Sequence, residues 1–263
     1  MAKVRIILLS LIVLGLSWFQ FLQPLSAKTL VERGSDMFDS REPRRILLLG
    51  NSRTFFNDLP GMLRAIADSA HDPRKYQITM RAFGGASLES LSGDSIAQSL
   101  LSEEWDDAIV QAESRAQVDQ AQERSFLDYG QQLVGRIHVA TGKPRLVINW
   151  GYGPQLYGDS DPYGTARAEY DSDIERSTRW LGNRAGARLV DVQAVWNKVA
   201  DRHPEIPLTS DGNHPTVAGS YIFALALYAD LSRGTAAAAT YVPPGLDRET
   251  AATIREEVLT GIS

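Results

Sequence analysis

Serine, histidine and aspartate residues in this chain could form a hydrolytic site. Residues 45–54 read RILLLGNSRT, so an apolar run ends in Gly-Asn-Ser and Ser52 would stand at the end of a buried strand. Residues 93–95 and 158–160 both read Gly-Asp-Ser. The first lies inside a helical pattern, as a weak spot or a junction of two short helices, and the second lies among turn-forming residues. Position therefore favours Ser52, either as a nucleophile or as a helix cap that binds an anion passively.

A serine hydroxyl is a poor nucleophile unless a base removes its proton, and histidine is the usual base. The chain has four histidines. His214 follows Asp211 by three residues, in a loop after the last predicted strand. At this spacing the aspartate could hold one ring nitrogen while the other faces Ser52. A surface position or the end of a helix is sufficient to explain the other three: His71, His138 and His203.

Short apolar runs alternate with helix-length segments along most of the chain. The predicted strands are 46–49, 76–82, 108–111, 146–150 and 188–192. The predicted helices are 59–69, 88–101, 122–141, 166–184, 194–202, 216–232 and 248–259. This alternation predicts a three-layer α/β/α fold with a central, mostly parallel five-stranded sheet. Such sheets place their sites at the carboxyl ends of the strands.

The composition excludes several classes of function. The chain has 263 residues, a net charge of −5 and no long run of one sign, which argues against a nucleic-acid partner. The absence of cysteine excludes disulfides, thiol catalysis and cysteine-ligated metals. Because the histidines are scattered, no spacing indicates a zinc site. We therefore expect neither a metal nor a cofactor.

The N-terminus is typical of an exported protein. Lys3 and Arg5 precede an apolar run at 6–22, and a small residue follows at a candidate cleavage site, Ala27. The run is also long enough for a retained membrane tether. We predict a signal peptide or membrane anchor at 1–27, a tether at 28–43 and the catalytic domain at 44–263, in a periplasmic or extracellular protein. The sequence does not predict the oligomeric state.

Four short motifs, in this order, resemble those of the SGNH hydrolase superfamily, the GDSL-like esterases, and most of all its Gly-Asn-Ser branch. They are GNSRTFFNDLP at 50–60, FGGASLES at 83–90, WDDAIVQAES at 105–114 and DGNHPTVAGSYIFA at 211–224. The resemblance implies a flavodoxin-like sheet, with Ser52 as nucleophile, His214 as general base and then acid, and Asp211 as its orienting partner. It also implies an oxyanion hole built from the N–H groups of Ser52 and Gly85 and a side chain of the third motif.

The third motif departs from the best-known members, which carry Gly-x-Asn-Asp where this chain has Gln-Ala-Glu-Ser at 111–114. It is similar to the Gln-Gly-Glu-Ser motif of carbohydrate-acetyl esterases in the same superfamily. Gln111 can donate through its amide, whereas an ionised Glu113 cannot, so Gln111 is the predicted third oxyanion donor. We expect Asn51, beside the nucleophile, and Tyr152, in an aromatic and acidic loop at 151–164, to contact substrate.

These residues predict a serine ester hydrolase without a metal. Its predicted reaction removes a short acyl group, acetyl first, from a carbohydrate or a similar extracytoplasmic ester, through an acyl-enzyme. The tyrosines and aspartates of the 151–164 loop suit a sugar, but they equally suit an ordinary solvated loop, and Trp150 at its root is expected to pack in the core. The alternatives are a lipase or lysophospholipase, an acyltransferase, and a non-catalytic binding module on the same fold.

Overall fold

The computed structural model describes residues 39–140, 143–152, 167–232 and 234–261. The chain divides into two units, Met1–Arg41 and Glu42–Ser263, and every element below belongs to the second. The predicted signal or anchor and most of the 151–164 loop lie outside the described residues. Within the described ranges, no helix is long and apolar enough to cross a membrane.

Five parallel strands form one sheet in the described part of the chain, in the order β2-β1-β3-β4-β5. They are β1 (Glu42–Gly50), β2 (Arg74–Ala82), β3 (Asp107–Val110), β4 (Pro144–Ile148) and β5 (Arg188–Asp191). This confirms the predicted fold, although β1 begins inside the segment predicted as a tether. The chain first moves outward from β1 to β2 and then returns across β1 to β3. The order therefore reverses at the carboxyl ends of β1 and β3, where parallel sheets of this kind open a crevice.

Helices cover both faces of the sheet. They are α1 (Ser52–Phe55), α2 (Leu59–Ser69), α3 (Leu88–Gly93), α4 (Ser95–Leu100), α5 (Gln120–Ala140), α6 (Arg167–Ala185), α7 (Val192–Arg202), α8 (Val217–Ser232) and α9 (Arg248–Gly261). The predicted helix at 88–101 is two helices, since the side chain of Asp94 caps α4 by accepting the Ala97 N–H at 2.7 Å. The first Gly-Asp-Ser tripeptide is therefore a helix junction.

Alternate residues of β1 enter two separate cores. Ile46 and Leu48 pack with α2, α7, α8 and α9 on one side of the sheet. Leu47 and Leu49 pack with α3, α4, α5 and Leu181 of α6 on the other. All four β1 residues are buried, which explains why this strand is a continuous apolar run rather than an alternating one. Packing on both faces holds the carboxyl end of β1 in place.

Candidate active site

A tight turn at the end of β1 presents Ser52 as the first residue of α1. Asn51 caps this helix, because its Oδ1 accepts the Arg53 N–H at 3.1 Å. Gly50 is required by close packing: a Cβ at this position would lie 2.1 Å from Thr54 Oγ1 and 2.9 Å from Gln111 Oε1. Gly-Asn-Ser therefore builds the nucleophile turn and leaves Ser52 half-buried at the edge of the sheet.

The loop Ser210–Pro215, which we call the base loop, brings His214 against Ser52. Nε2 of His214 lies 3.0 Å from Ser52 Oγ, and Nδ1 lies 2.6 Å from Asp211 Oδ2. The other carboxylate oxygen of Asp211 accepts the backbone N–H groups of Asn213 at 2.9 Å and His214 at 2.7 Å. The Asp-x-x-His spacing thus closes a turn in which one carboxylate holds both the backbone and the ring. The structure places the three residues in the order that serine activation requires.

The electrostatics keep Asp211 ionised. Burial raises the pKa of this carboxyl, but the hydrogen bonds from the His214 ring and from the N–H groups of His214 and Asn213 outweigh it, so the net pKa lies below the usual range. A carboxylate at Nδ1 favours the tautomer with its proton on Nδ1, which leaves Nε2 as an acceptor toward Ser52. Phe56 stacks on the imidazole, with ring centroids 4.6 Å apart and planes 12° apart.

A second turn, after β2, carries Gly85 beside the nucleophile turn. Gly85 is exposed and left-handed (φ 67°), a conformation that glycine adopts without steric strain. Asn51 Nδ2 donates to Ala86 O at 3.2 Å and so joins the two turns. Within the described residues, neither the Ser52 N–H nor the Gly85 N–H donates to a protein acceptor. Both are therefore available to a negatively charged oxygen.

Gln111, the predicted third oxyanion donor, is hydrogen-bonded within the protein. Its side chain is 1% exposed, and its Oε1 accepts the Asn51 N–H at 3.2 Å and the Thr54 hydroxyl at 2.7 Å. Its Nε2 donates to Ala112 O. The side chain leaves β3 toward β1, where two buried donors of the nucleophile turn need an acceptor. Gln111 therefore supports that turn through its amide oxygen, and its role as an oxyanion donor stays a prediction.

The two predicted substrate contacts, Asn51 and Tyr152, are also hydrogen-bonded within the protein. Asn51 is buried, and its amide is bonded to Arg53 and Ala86, so it shapes the turn. Tyr152 is 4% exposed, stacks on Tyr170 with planes 9° apart, and donates its hydroxyl to Ser114 Oγ at 3.1 Å. Position in the sequence placed both residues near the site, but their polar groups bond to the protein. Both side chains therefore support the structure around the site, and their contact with substrate stays a prediction.

Arg53 is a site residue that the sequence analysis missed. Its side chain is 1% exposed, and its Nε and Nη2 lie 3.1 and 2.9 Å from Asn213 Oδ1 in the base loop. Nη1 donates to Trp150 O at 2.6 Å, and the guanidinium lies 4.6 Å from the centroid of the Trp150 ring. Trp150 is fully buried against Trp196, as expected for a core residue. The position of Arg53 directly after the candidate nucleophile does not by itself indicate this role.

In the described part of the chain, no group of three or more histidine, aspartate and glutamate residues is arranged to hold a metal ion. The second Gly-Asp-Ser tripeptide, at 158–160, lies outside the described residues. The site therefore consists of the nucleophile turn, the Gly85 turn and the base loop. Together they can activate a hydroxyl and receive an oxyanion.

Comparison with known proteins agrees with this fold. No protein-family model and no curated protein matches the chain. A solved structure of a candidate SGNH hydrolase from Slackia heliotrinireducens is 26% identical, with a TM-score of 0.60 over 73% of this chain and 100% of that one. A DUF4886 family protein from Bacteroides uniformis is 17% identical, with a TM-score of 0.65 over 84% of this chain and 95% of that one.

A catalytic mutant of an acetylxylan esterase from Geobacillus stearothermophilus is also similar, at 18% identity and a TM-score of 0.52 over 74% of this chain and 95% of that one. These likenesses confirm the predicted resemblance: the chain has the fold of the SGNH hydrolases, a superfamily of ester hydrolases. The assignment to the Gly-Asn-Ser branch stays a prediction.

Proposed function

We propose that the protein is a serine ester hydrolase with Ser52 as nucleophile, His214 as general base and acid, and Asp211 as the residue that orients His214. The observation that carries the proposal is the continuous hydrogen-bonded line from Asp211 Oδ2 through the His214 ring to Ser52 Oγ, with distances of 2.6 and 3.0 Å. The 3.0 Å distance puts the base within hydrogen-bond reach of the nucleophile, and the 2.6 Å distance lets Asp211 orient the base.

In the first half of the reaction, Ser52 Oγ attacks the acyl carbonyl carbon while its proton passes to His214 Nε2. The carbonyl electrons move to the oxygen, and this oxyanion accepts hydrogen bonds from the N–H groups of Ser52 and Gly85. Collapse of the intermediate breaks the bond to the alcohol, which leaves with the proton from Nε2. Water then attacks the acyl-enzyme by the same route, and its proton returns to Ser52 as the acid departs.

For the substrate we propose a short acyl group, acetyl first, on a carbohydrate. The support is the third motif, Gln-Ala-Glu-Ser at 111–114, and its resemblance to the motif of carbohydrate-acetyl esterases. One protein of this fold acts on acetylated xylan, as its name states, so acetylated xylooligosaccharides are a suitable first sugar probe. We also propose that residues 1–27 export the protein and either leave as a signal peptide or remain as a tether.

The test is hydrolysis of p-nitrophenyl acetate, butyrate and octanoate and of acetylated xylooligosaccharides by the purified full-length protein and its Ser52→Ala variant. We expect turnover of the acetyl esters that the variant lacks. A preference for octanoate would favour the lipase alternative, and transfer of the acyl group to an added sugar would favour an acyltransferase. If the folded protein and the variant are equally inert on every ester, the binding-module alternative replaces the proposal.

A further inference from the structure

The residue after the candidate nucleophile contacts the residue before the candidate base. Arg53 holds Asn213 Oδ1 with two nitrogens, at 2.9 and 3.1 Å. The guanidinium is itself anchored to Trp150 O at 2.6 Å and is 1% exposed, so it cannot follow a movement of the base loop. Burying a guanidinium costs several kcal/mol of desolvation, so an arginine at this position needs contacts that offset that cost.

Asn57 makes a second contact from the other side of His214. Its Nδ2 donates to Pro215 O at 3.0 Å and to Ser220 Oγ at 2.8 Å. The backbone of Asn57 is left-handed (φ 54°, ψ 29°), a conformation that costs residues other than glycine ~1 kcal/mol. Asparagine tolerates it better than most. Strained backbone of this kind clusters at functional sites, where the surrounding contacts hold it in place.

Phe56 lies between these two residues, and its ring stacks on the imidazole at 4.6 Å. The base loop is therefore held on both sides of His214 by the segment Ser52–Asn57, which we call the nucleophile segment. The two flanking contacts fix the position of His214 along the loop, while the Phe56 ring fixes its tilt. The same short segment carries Ser52 Oγ.

We propose that Arg53 and Asn57 are positioning residues that keep His214 Nε2 in line with Ser52 Oγ. The inference rests on the proposed function, since it assigns the contacts to the alignment of that nucleophile and base. Neither residue touches substrate in this scheme, so losing a contact lowers kcat and leaves KM nearly unchanged. A misplacement of about 1 Å in a reacting group can cost on the order of 10²-fold in rate.

The experiment compares Asn57→Gly with the matched variant Asp58→Gly in ester hydrolysis and thermal unfolding. Asp58 is also left-handed (φ 53°), and its side chain accepts the Gly61 N–H of α2 rather than contacting the base loop. Each variant therefore relieves one left-handed residue. Asn57→Gly removes two side-chain hydrogen bonds, to Pro215 and Ser220, whereas Asp58→Gly removes one, from Gly61, and leaves the base loop held. We expect Asn57→Gly to lower kcat about 10- to 100-fold with KM within about twofold. We expect Asp58→Gly to retain wild-type kcat.

A kcat for Asn57→Gly equal to that of Asp58→Gly would overturn the proposal, as would a loss confined to the unfolding temperature. The Arg53 contact is tested through its half-buried partner Asn213, combined with the conservative variant Arg53→Lys, which keeps the positive charge. We expect Asn213→Ala to lower kcat by a similar factor. The double variant Arg53→Lys/Asn213→Ala should have the same kcat as Arg53→Lys alone, since both changes break one contact. Independent, additive losses would contradict a shared contact.

A readout without turnover separates this inference from the proposed function. The nitrogen NMR signals of the His214 ring, assigned with a His214→Gln variant, report its tautomer. We expect a single tautomer with its proton on Nδ1 in the wild type and averaged signals in Asn57→Gly. If the wild type hydrolyses no ester, the proposed function fails. Unchanged ring signals in Asn57→Gly would then overturn the positioning role as well, and averaged signals would support it.

Discussion

Replacing Gln111 with alanine distinguishes a structural brace from an oxyanion donor. Gln111 Oε1 accepts two buried donors of the nucleophile turn, the N–H of Asn51 at 3.2 Å and the hydroxyl of Thr54 at 2.7 Å. Alanine leaves both donors without an acceptor, at about 1–3 kcal/mol each. We therefore expect Gln111→Ala to lower the free energy of unfolding by about 2–6 kcal/mol, a large part of the 5–15 kcal/mol typical of a domain.

An oxyanion donor would give the opposite pattern. Its loss would lower kcat about 10²- to 10³-fold and leave stability nearly unchanged. The assay is urea unfolding followed by tryptophan fluorescence, together with ester hydrolysis well below the unfolding transition. An unfolding free energy within about 0.5 kcal/mol of the wild type, combined with a large loss of kcat, would refute the brace.

Thr54→Val is the matched control for this brace, because it removes one of the two donors with little change of shape. We expect it to cost about 1 kcal/mol alone. In the double variant with Gln111→Ala its cost should largely disappear, since the same hydrogen bond is already lost. Fully additive losses would show that Thr54 and Gln111 act separately.

Three further predictions concern the base, the oxyanion turn and alkaline stability. Asp211→Asn should lower kcat about 10⁴-fold, because the His214 proton is then no longer held on Nδ1. A loss under tenfold in p-nitrophenyl acetate hydrolysis would contradict the orienting role of Asp211. Gly85→Ala should lower kcat and cost about 1–2 kcal/mol in urea unfolding through its positive φ, although the new Cβ would meet nothing within 4 Å; an unchanged kcat would remove its N–H from the oxyanion hole. Burial raises the pKa of Tyr228 to about 12. Because this folded value exceeds the unfolded value of about 10, the contribution of Tyr228 to the free energy of unfolding is complete below pH 10. That contribution is lost as the pH rises toward 12. Urea midpoints across this range should fall less steeply in Tyr228→Phe than in the wild type, and identical profiles would exclude Tyr228 as a cause.

The fold was predictable because its signals are local. Helix α2 begins and ends where predicted, since Asn57 and Asp58 precede it and Pro60 stands in its first turn, where proline is favourable. The β1 strand is a continuous apolar run because both of its faces are covered. The helix junction at Asp94 was harder to predict, because an aspartate inside an amphipathic pattern becomes a cap only when the chain turns there.

The contacts behind the site were not predictable, because they join residues that are far apart in the chain. Gln111 had the right chemistry for an oxyanion donor, but the direction of its amide depends on two donors some sixty residues earlier. Arg53 shows no pattern by itself until Asn213 is folded against it. Short motifs therefore located Ser52 and the base loop, whereas the division between reacting and bracing side chains required the structure.

The most direct test of the central claim is covalent labelling of the serine. An organophosphate such as diethyl p-nitrophenyl phosphate transfers its phosphoryl group to an activated serine hydroxyl and releases p-nitrophenol. After tryptic digestion, the peptide 46–53, ILLLGNSR, carries Ser52 as its sole hydroxyl side chain. We predict that the full-length protein gains one phosphoryl group on this peptide, and that Ser52→Ala and His214→Gln gain none. A label on another residue, or equal labelling of wild type and Ser52→Ala, would contradict the assignment of Ser52 as the nucleophile.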